Sequence, residues 1–112
     1  MTEISSTQRS EWAALLDRLT RNHAGDQVTI ELLDPTYGDL HEAERLPFAY
    51  ASYDPRDDVV VVAVGGVRPR FPVVLRHIVT GPAEVSVSDR AARIIDKDGA
   101  ATVVSFAGAG RR

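Results

Sequence analysis

Hydrophobic residues gather most densely in one stretch, where Val59-Val60-Val61-Val62-Ala63-Val64 runs unbroken between an acidic turn, Asp54-Pro55-Arg56-Asp57-Asp58, and the glycine pair Gly65-Gly66. Such a run is too short for a helix, is mostly β-branched and lacks polar alternation, so it predicts a strand buried on both faces. Each face then needs a cover. Upstream, Trp12, Leu15, Leu16 and Leu19 fall at the i, i+3, i+4, i+7 spacing of a helix with one buried stripe, and Arg9, Glu11, Asp17, Arg18 and Arg21 fall on its other sides. The pattern predicts a helix from about Thr7 to Ala24, with Ser6 or Thr7 as N-cap and Gly25 as the left-handed residue that ends it. That helix is expected to cover one face of the central strand, with Trp12 packed against Val59–Val64, and a curved antiparallel sheet or barrel interior to cover the other.

The remaining pattern is short and β-rich. Gln27 to Leu33 alternates, with Val28, Ile30 and Leu32 on the inward parity, and Asp34-Pro35-Thr36-Tyr37-Gly38 has turn chemistry. Asp39 to Arg45 reads as polar loop or a brief helical turn. Leu46 to Tyr53 predicts a strand with Leu46, Phe48 and Tyr50 on one face, Pro47 being placed near its start or at an edge, and Asp54 to Asp58 folds it back onto the central run as a hairpin. Gly65 to Pro72 is a loop. Val73 to Val79 is apolar and β-branched but interrupted by Arg76-His77, and reads as a strand broken by Gly81-Pro82. Further strands are expected around Val85–Val87, Arg93–Asp96 and Ala101–Phe106, the last two joined through Lys97-Asp98-Gly99, a strong hairpin signal. The fold class is α+β: one N-terminal helix on a bent antiparallel sheet or small barrel of six or seven strands, with residues 1–112 as a single domain, β-rich over 27–107 and frayed over 108–112.

Composition narrows function more than it names it. The 112 residues are 44% hydrophobic and 26% charged, an ordinary globular balance. With no Cys there is no disulfide framework, thiol nucleophile or Cys-based zinc site. The start lacks a signal-peptide pattern and no apolar run has the length of a membrane span, so a cytoplasmic protein without a membrane partner is expected. Charge is polarised along the sequence. Asp26 to Asp58 holds nine acids against Arg45 and Arg56, whereas Val59 to Gly81 holds none and carries Arg68, Arg70 and Arg76.

Candidate chemistry is sparse. His23, His41 and His77 lack the spacing of a metal set, Asp54, Asp57 and Asp58 lack the ligand series of a calcium loop, and no nucleophile elbow, phosphate loop or dinucleotide fingerprint is present. Neither metal nor cofactor is therefore expected, and no catalytic residue stands out. The candidate that remains is Gly65-Gly66-Val67-Arg68-Pro69-Arg70-Phe71-Pro72, in which Arg68 and Arg70, stiffened by two prolines, could converge on an anion or an acidic partner. The formal net charge of -3 argues against nucleic acid.

Glu11-Trp12, His23-Ala24-Gly25, Leu46-Pro47 and the His77-Ile78-x-x-x-Pro82 stretch together resemble a bacterial family of small domains of unknown function, number five-three-three-five. The resemblance spans most of the chain and implies a stand-alone β-rich bacterial domain with no activity, cofactor or site residues to carry over. The leading expectation is a non-enzymatic binding or interaction module for an unknown protein or acidic ligand. Its alternatives are a single-strand nucleic-acid or RNA-binding Sm-like barrel, and a small-molecule-binding protein or small enzyme with its site in a barrel mouth. An exposed apolar edge or patch would favour the first, an Arg-lined groove the second, and a closed apolar cavity of several hundred Å³ the third.

Overall fold

In a computed structural model, residues 4–36, 38–65 and 73–107 are described, with backbone alone at 41–44, 73 and 74. The elements follow as β1 (Ile4–Ser6), α1 (Arg9–His23), β2 (Gln27–Asp34), β3 (Gly38–Asp54), β4 (Val59–Gly65), β5 (Val73–Thr80), β6 (Pro82–Val87), β7 (Ala91–Asp96) and β8 (Ala101–Phe106). The strands form one antiparallel eight-stranded sheet in the order β1-β6-β7-β8-β2-β3-β4-β5. It does not close into a barrel. Eight strands stand where six or seven are predicted because β1, three residues long, pairs with β6 through Ile4↔Val87 to Ser6↔Val85, a segment too short to show alternation.

The sheet bends at β3. Its first half pairs with β2, from Asp34↔Gly38 to Gln27↔Pro47, and its second half with β4, from Phe48↔Val64 to Asp54↔Val59. Asp39 to Arg45 is therefore strand and not loop or helical turn: the polar residues of this stretch pair along β2, and Arg45, at φ 58°, marks an irregular register between Val28 and Ile30 where the strand kinks. A further register shift, between Phe48 and Tyr50, changes which residues face inward. Phe48 is buried and Leu46 packs on the core as expected, but past the bulge Ala51 and Tyr53 take the inward places in place of Tyr50, because the bulge inverts the alternation downstream of it. Pro47 consequently lies inside a long strand, next to the point where β3 leaves β2.

The helix begins two residues later than predicted. Gln8 occupies the N-cap without a side-chain bond, while the Ser6 hydroxyl accepts the Gln8 N–H at 3.0 Å and donates to the Glu11 carboxylate. Ser6 thus ties down the first turn from outside it. At the other end Gly25, at φ 91°, turns the chain so that its N–H reaches the Phe48 carbonyl at 2.8 Å. Trp12, Leu16 and Leu19 sit in one cluster with Val28, Ile30, Phe48, Val60, Val62, Val64, Val85, Ile94, Val104 and Phe106, so Trp12 shares the core of the central strand as expected. Its ring meets Tyr53 edge-on at 5.1 Å, and its Nε1–H donates to the Ser6 carbonyl at 3.0 Å.

Burial on both faces of β4 is only partly realised. Val60, Val62 and Val64 are fully buried on the core face; on the other, Ala63 is buried while Val59 and Val61 are half-exposed. The reason is layering: α1, the one helix among the described residues, packs on the core face, and no second helix is there to cover the other. Among the described residues no helix is long and apolar enough to cross a membrane.

Candidate binding groove

Following β5 to its end leads to a hollow lined by described residues. Directly opposite residues of an antiparallel pair share a face, and β5 meets β4 as Val60↔Val79, Val61↔Ile78 and Val62↔His77. His77 and Val79 therefore stand on the core face with Val60 and Val62, and Ile78 on the outer face, where it is 53% exposed, more than any other large apolar residue described. The sheet curls until this end of β5 approaches the inner face of β8. There the His77 ring nitrogen Nε2 is 3.0 Å from the buried Thr102 hydroxyl, and the Lys97 N–H donates to the Gly81 carbonyl at 2.9 Å.

Between these two ties lies an open groove of about 420 Å³. One wall is His77, Ile78, Val79 and Thr80; the opposite wall is Leu32 and Asp34 from β2 with Ala100 and Thr102 at the start of β8, and the β7–β8 turn, Asp96-Lys97-Asp98, closes one side. Side chains alternate along a strand, so a hollow bordered by four consecutive β5 residues runs along the strand's edge and not over one face. The other edge of β5 is taken by β4, and no other described strand pairs with β5.

Local chemistry explains why the turns hold their shape. Asp96 Oδ1 accepts the N–H groups of Asp98 and Ala100 at 2.9 and 3.0 Å, and Asp34 Oδ1 accepts that of Thr36 at 2.7 Å. Both carboxylates thus build turns at the rim. Gly81, at φ 64°, makes the one-residue corner from β5 into β6; a Cβ there would lie 3.0 Å from the Lys97 side chain, which leans across it.

Two other polar constellations lie away from the groove. Arg9 binds both carboxylate oxygens of Asp58 at 3.0 and 3.2 Å, the Tyr53 hydroxyl donates to the same carboxylate at 2.7 Å, and Arg9 lies 5.4 Å from the centre of the Trp12 ring. These bonds, from Arg9 first and then Tyr53, hold the Asp58 carboxyl below its ordinary pKa, and the bond to Asp58 raises both the Arg9 guanidinium and the Tyr53 phenol. The cluster fastens the start of α1 to the β3–β4 turn. His23, expected at the helix end, is buried there: its ring stacks on Phe106 at 3.9 Å and its Nδ1 bonds Asp26 at 2.9 Å.

Of the residues singled out by sequence, Arg68 and Arg70 lie outside the described residues, as do Tyr37 and the tail, and the His41 side chain is likewise not described. Among the described residues, no three His, Asp or Glu gather as a metal-binding group. The groove residues were visible only in part. Arg76-His77 stands out in sequence as an interruption of an apolar run, and counting parity from Leu75 and Val79 puts His77 on the inner face; nothing local shows that β8 lies opposite.

These features define a class, a small β-rich domain whose single helix packs on one open, strongly bent antiparallel sheet. The chain belongs to DUF5335, a family of unknown function, whose model matches residues 3–109. It is similar to an uncharacterized protein of Aquifex aeolicus (strain VF5), 29% identical over 96 residues that cover 81% of this chain and 80% of that one. No solved structure matches.

Proposed function

We propose that the protein is a non-enzymatic cytoplasmic binding module whose ligand lies in the groove along β5. The observation that carries this reading is the groove itself, bordered by a strand edge and by Ile78, the most exposed large apolar residue described. Its volume falls in the range of ligand sites. It is open and lined by Asp, Lys, Thr and His together with apolar side chains, which favours an interaction module over an Arg-lined nucleic-acid track or a sealed apolar cavity. Asp34 and Asp96 each spend a carboxylate oxygen on backbone N–H groups, a structural use that supports binding over acid–base chemistry. Native mass spectrometry of the purified protein, followed by amide shift mapping with whatever co-purifies or with a fragment library, tests the reading. Shifts gathered at residues 77–80 and 96–102 are expected; ligands that leave these residues in place and shift others would overturn it.

A further inference from the structure

The face of the sheet turned away from α1 is patterned about β8, and from that pattern we propose that it docks a second copy of this chain. Along β8, Thr102, Val104 and Phe106 are buried, while Ala101, Val103 and Ser105 are half-exposed on the outer face. Its neighbours are β7 on one side and β2 on the other, and neither pairing carries a register shift. Directly opposed residues share a face, so three outer rows can be read from β7 through β8 to β2. They are Ile95-Ala101-Leu33, Arg93-Val103-Glu31 and Ala91-Ser105-Thr29. Exposure agrees with this parity: Leu33 and Arg93 are exposed and the others half-exposed.

A twofold axis along β8 lays β7 of one copy over β2 of the other, and in such a contact every pairing off the axis occurs twice. Ile95 then meets Leu33 of the second copy, apolar on apolar. Arg93 meets Glu31, opposite charges, and Ala91 meets Thr29, small on small. On the axis Ala101, Val103 and Ser105 meet their own counterparts, and none of them is charged. Two sheets packed in this way keep their strands within about 30° of each other. An axis across the strands through Val103 instead sets Arg93 on Arg93 and Glu31 on Glu31, so charge selects the first arrangement. Glu31 is already engaged within its own chain; a carboxylate accepts several donors, and the contact with Arg93 adds to that one. Two strands from the axis, Glu84 of one copy lies over Asp39 of the other, like charges that confine the contact to the middle three strands. Three strands about 4.8 Å apart and about 17 Å long make a patch well below the roughly 800 Å² per partner of a stable interface, so the dimer is weak and fills as concentration rises.

Amide spectra and translational diffusion of the full chain, followed from micromolar to millimolar concentration, test the proposal. Shifts that grow with concentration are expected at Glu31, Arg93 and Val103 and their row neighbours, with diffusion slowing in step. Arg93→Glu and Glu31→Arg each bring like charges together twice, and each variant alone is expected to stay monomeric over the same range. Mixed in equal amounts, the two are expected to associate, because each copy then supplies the charges that complement the other's. That rescue separates pairing between copies from pairing within one chain, which mixing cannot restore. If Glu31→Arg fails to fold, Ser105→Glu takes its place: it sets a carboxylate against itself on the axis and is expected to abolish association. Wild-type shifts and diffusion indifferent to concentration, or shifts that gather away from β7, β8 and β2, would overturn the proposal. So would a mixture of folded variants that stays monomeric, or association that survives Ser105→Glu.

Discussion

Asp58 joins three elements through one carboxylate, and it does so from a left-handed backbone position, φ 55°, that Asp and Asn tolerate better than other branched residues. Because Arg9 and Tyr53 bond its charged form, the folded state holds this proton more weakly than the unfolded chain does. The associated stabilisation is complete above the ordinary carboxylate pKa of about 4 and fades as pH falls through the lowered folded value. Asp58→Asn keeps the shape and the backbone preference and removes the charge. Thermal melts should show the variant below wild type at pH 7, with the gap closing as both are taken into acid; a gap that is the same at pH 7 and in strong acid would assign the loss to shape. Trp12 is the other residue on which much depends. It is fully buried, and Trp12→Ala should cost about 3–5 kcal/mol by urea unfolding, as other large aromatic truncations do. A variant melting within a degree or two of wild type, or native Trp emission already red-shifted, would contradict the packing.

At the scale of elements, β3 is where sequence reading and structure part company. Periodicity located α1, β2, the central strand, β5 and the β7–β8 hairpin, because each has an apolar pattern bounded by Gly, Pro or Asp, even where Arg76-His77 interrupts that of β5. It failed at Asp39–Arg45 because a strand that pairs polar residues on an exposed sheet carries no hydrophobic signal, and at Tyr50 because a bulge reverses parity without leaving a mark in the sequence. The groove was illegible for a related reason: it joins residues 32–34, 77–80 and 96–102, which only long-range pairing brings together. The same bend creates a problem that α1 solves. Past Pro47 the β2-facing side of β3 has lost its partner strand, and there the Thr20 hydroxyl accepts the Ala51 N–H at 3.0 Å while its proton is shared between the Leu16 and Ala51 carbonyls at 2.9 and 3.2 Å. Thr20→Val keeps the volume and strands a backbone N–H and C=O, so a loss of about 1–3 kcal/mol is expected. Hydrogen exchange at Ala51 should quicken in the variant; an unchanged Ala51 amide would mean that another group, or water, satisfies it.

Over the whole molecule, one apolar cluster takes residues from α1 and from every strand except β1, so neither half of the bent sheet has a core of its own. Unfolding should therefore be a single cooperative event, with Trp12 fluorescence and far-ultraviolet circular dichroism giving the same urea midpoint. Within that unit the sheet is asymmetric at its two ends. The β1 end is a three-residue edge, tied by the hydroxyls of Ser5 and Ser86 at 2.8 Å and by the Trp12 indole, whereas the β5 end is eight residues long, paired among the described strands with β4 alone, and met along its length by the His77–Thr102 contact. Amides of β5 alternate in direction, one set toward β4 and the next toward the groove. Native-state exchange should therefore alternate along Leu75–Thr80, slow where the N–H meets β4 and fast where it faces the groove, while the amides of β4, paired on both sides, are slow throughout. Uniformly slow exchange along β5 would mean that its outer edge is already covered in the free protein, by a second copy or by another part of the chain. The groove would then be a closed seam and not a place for a ligand.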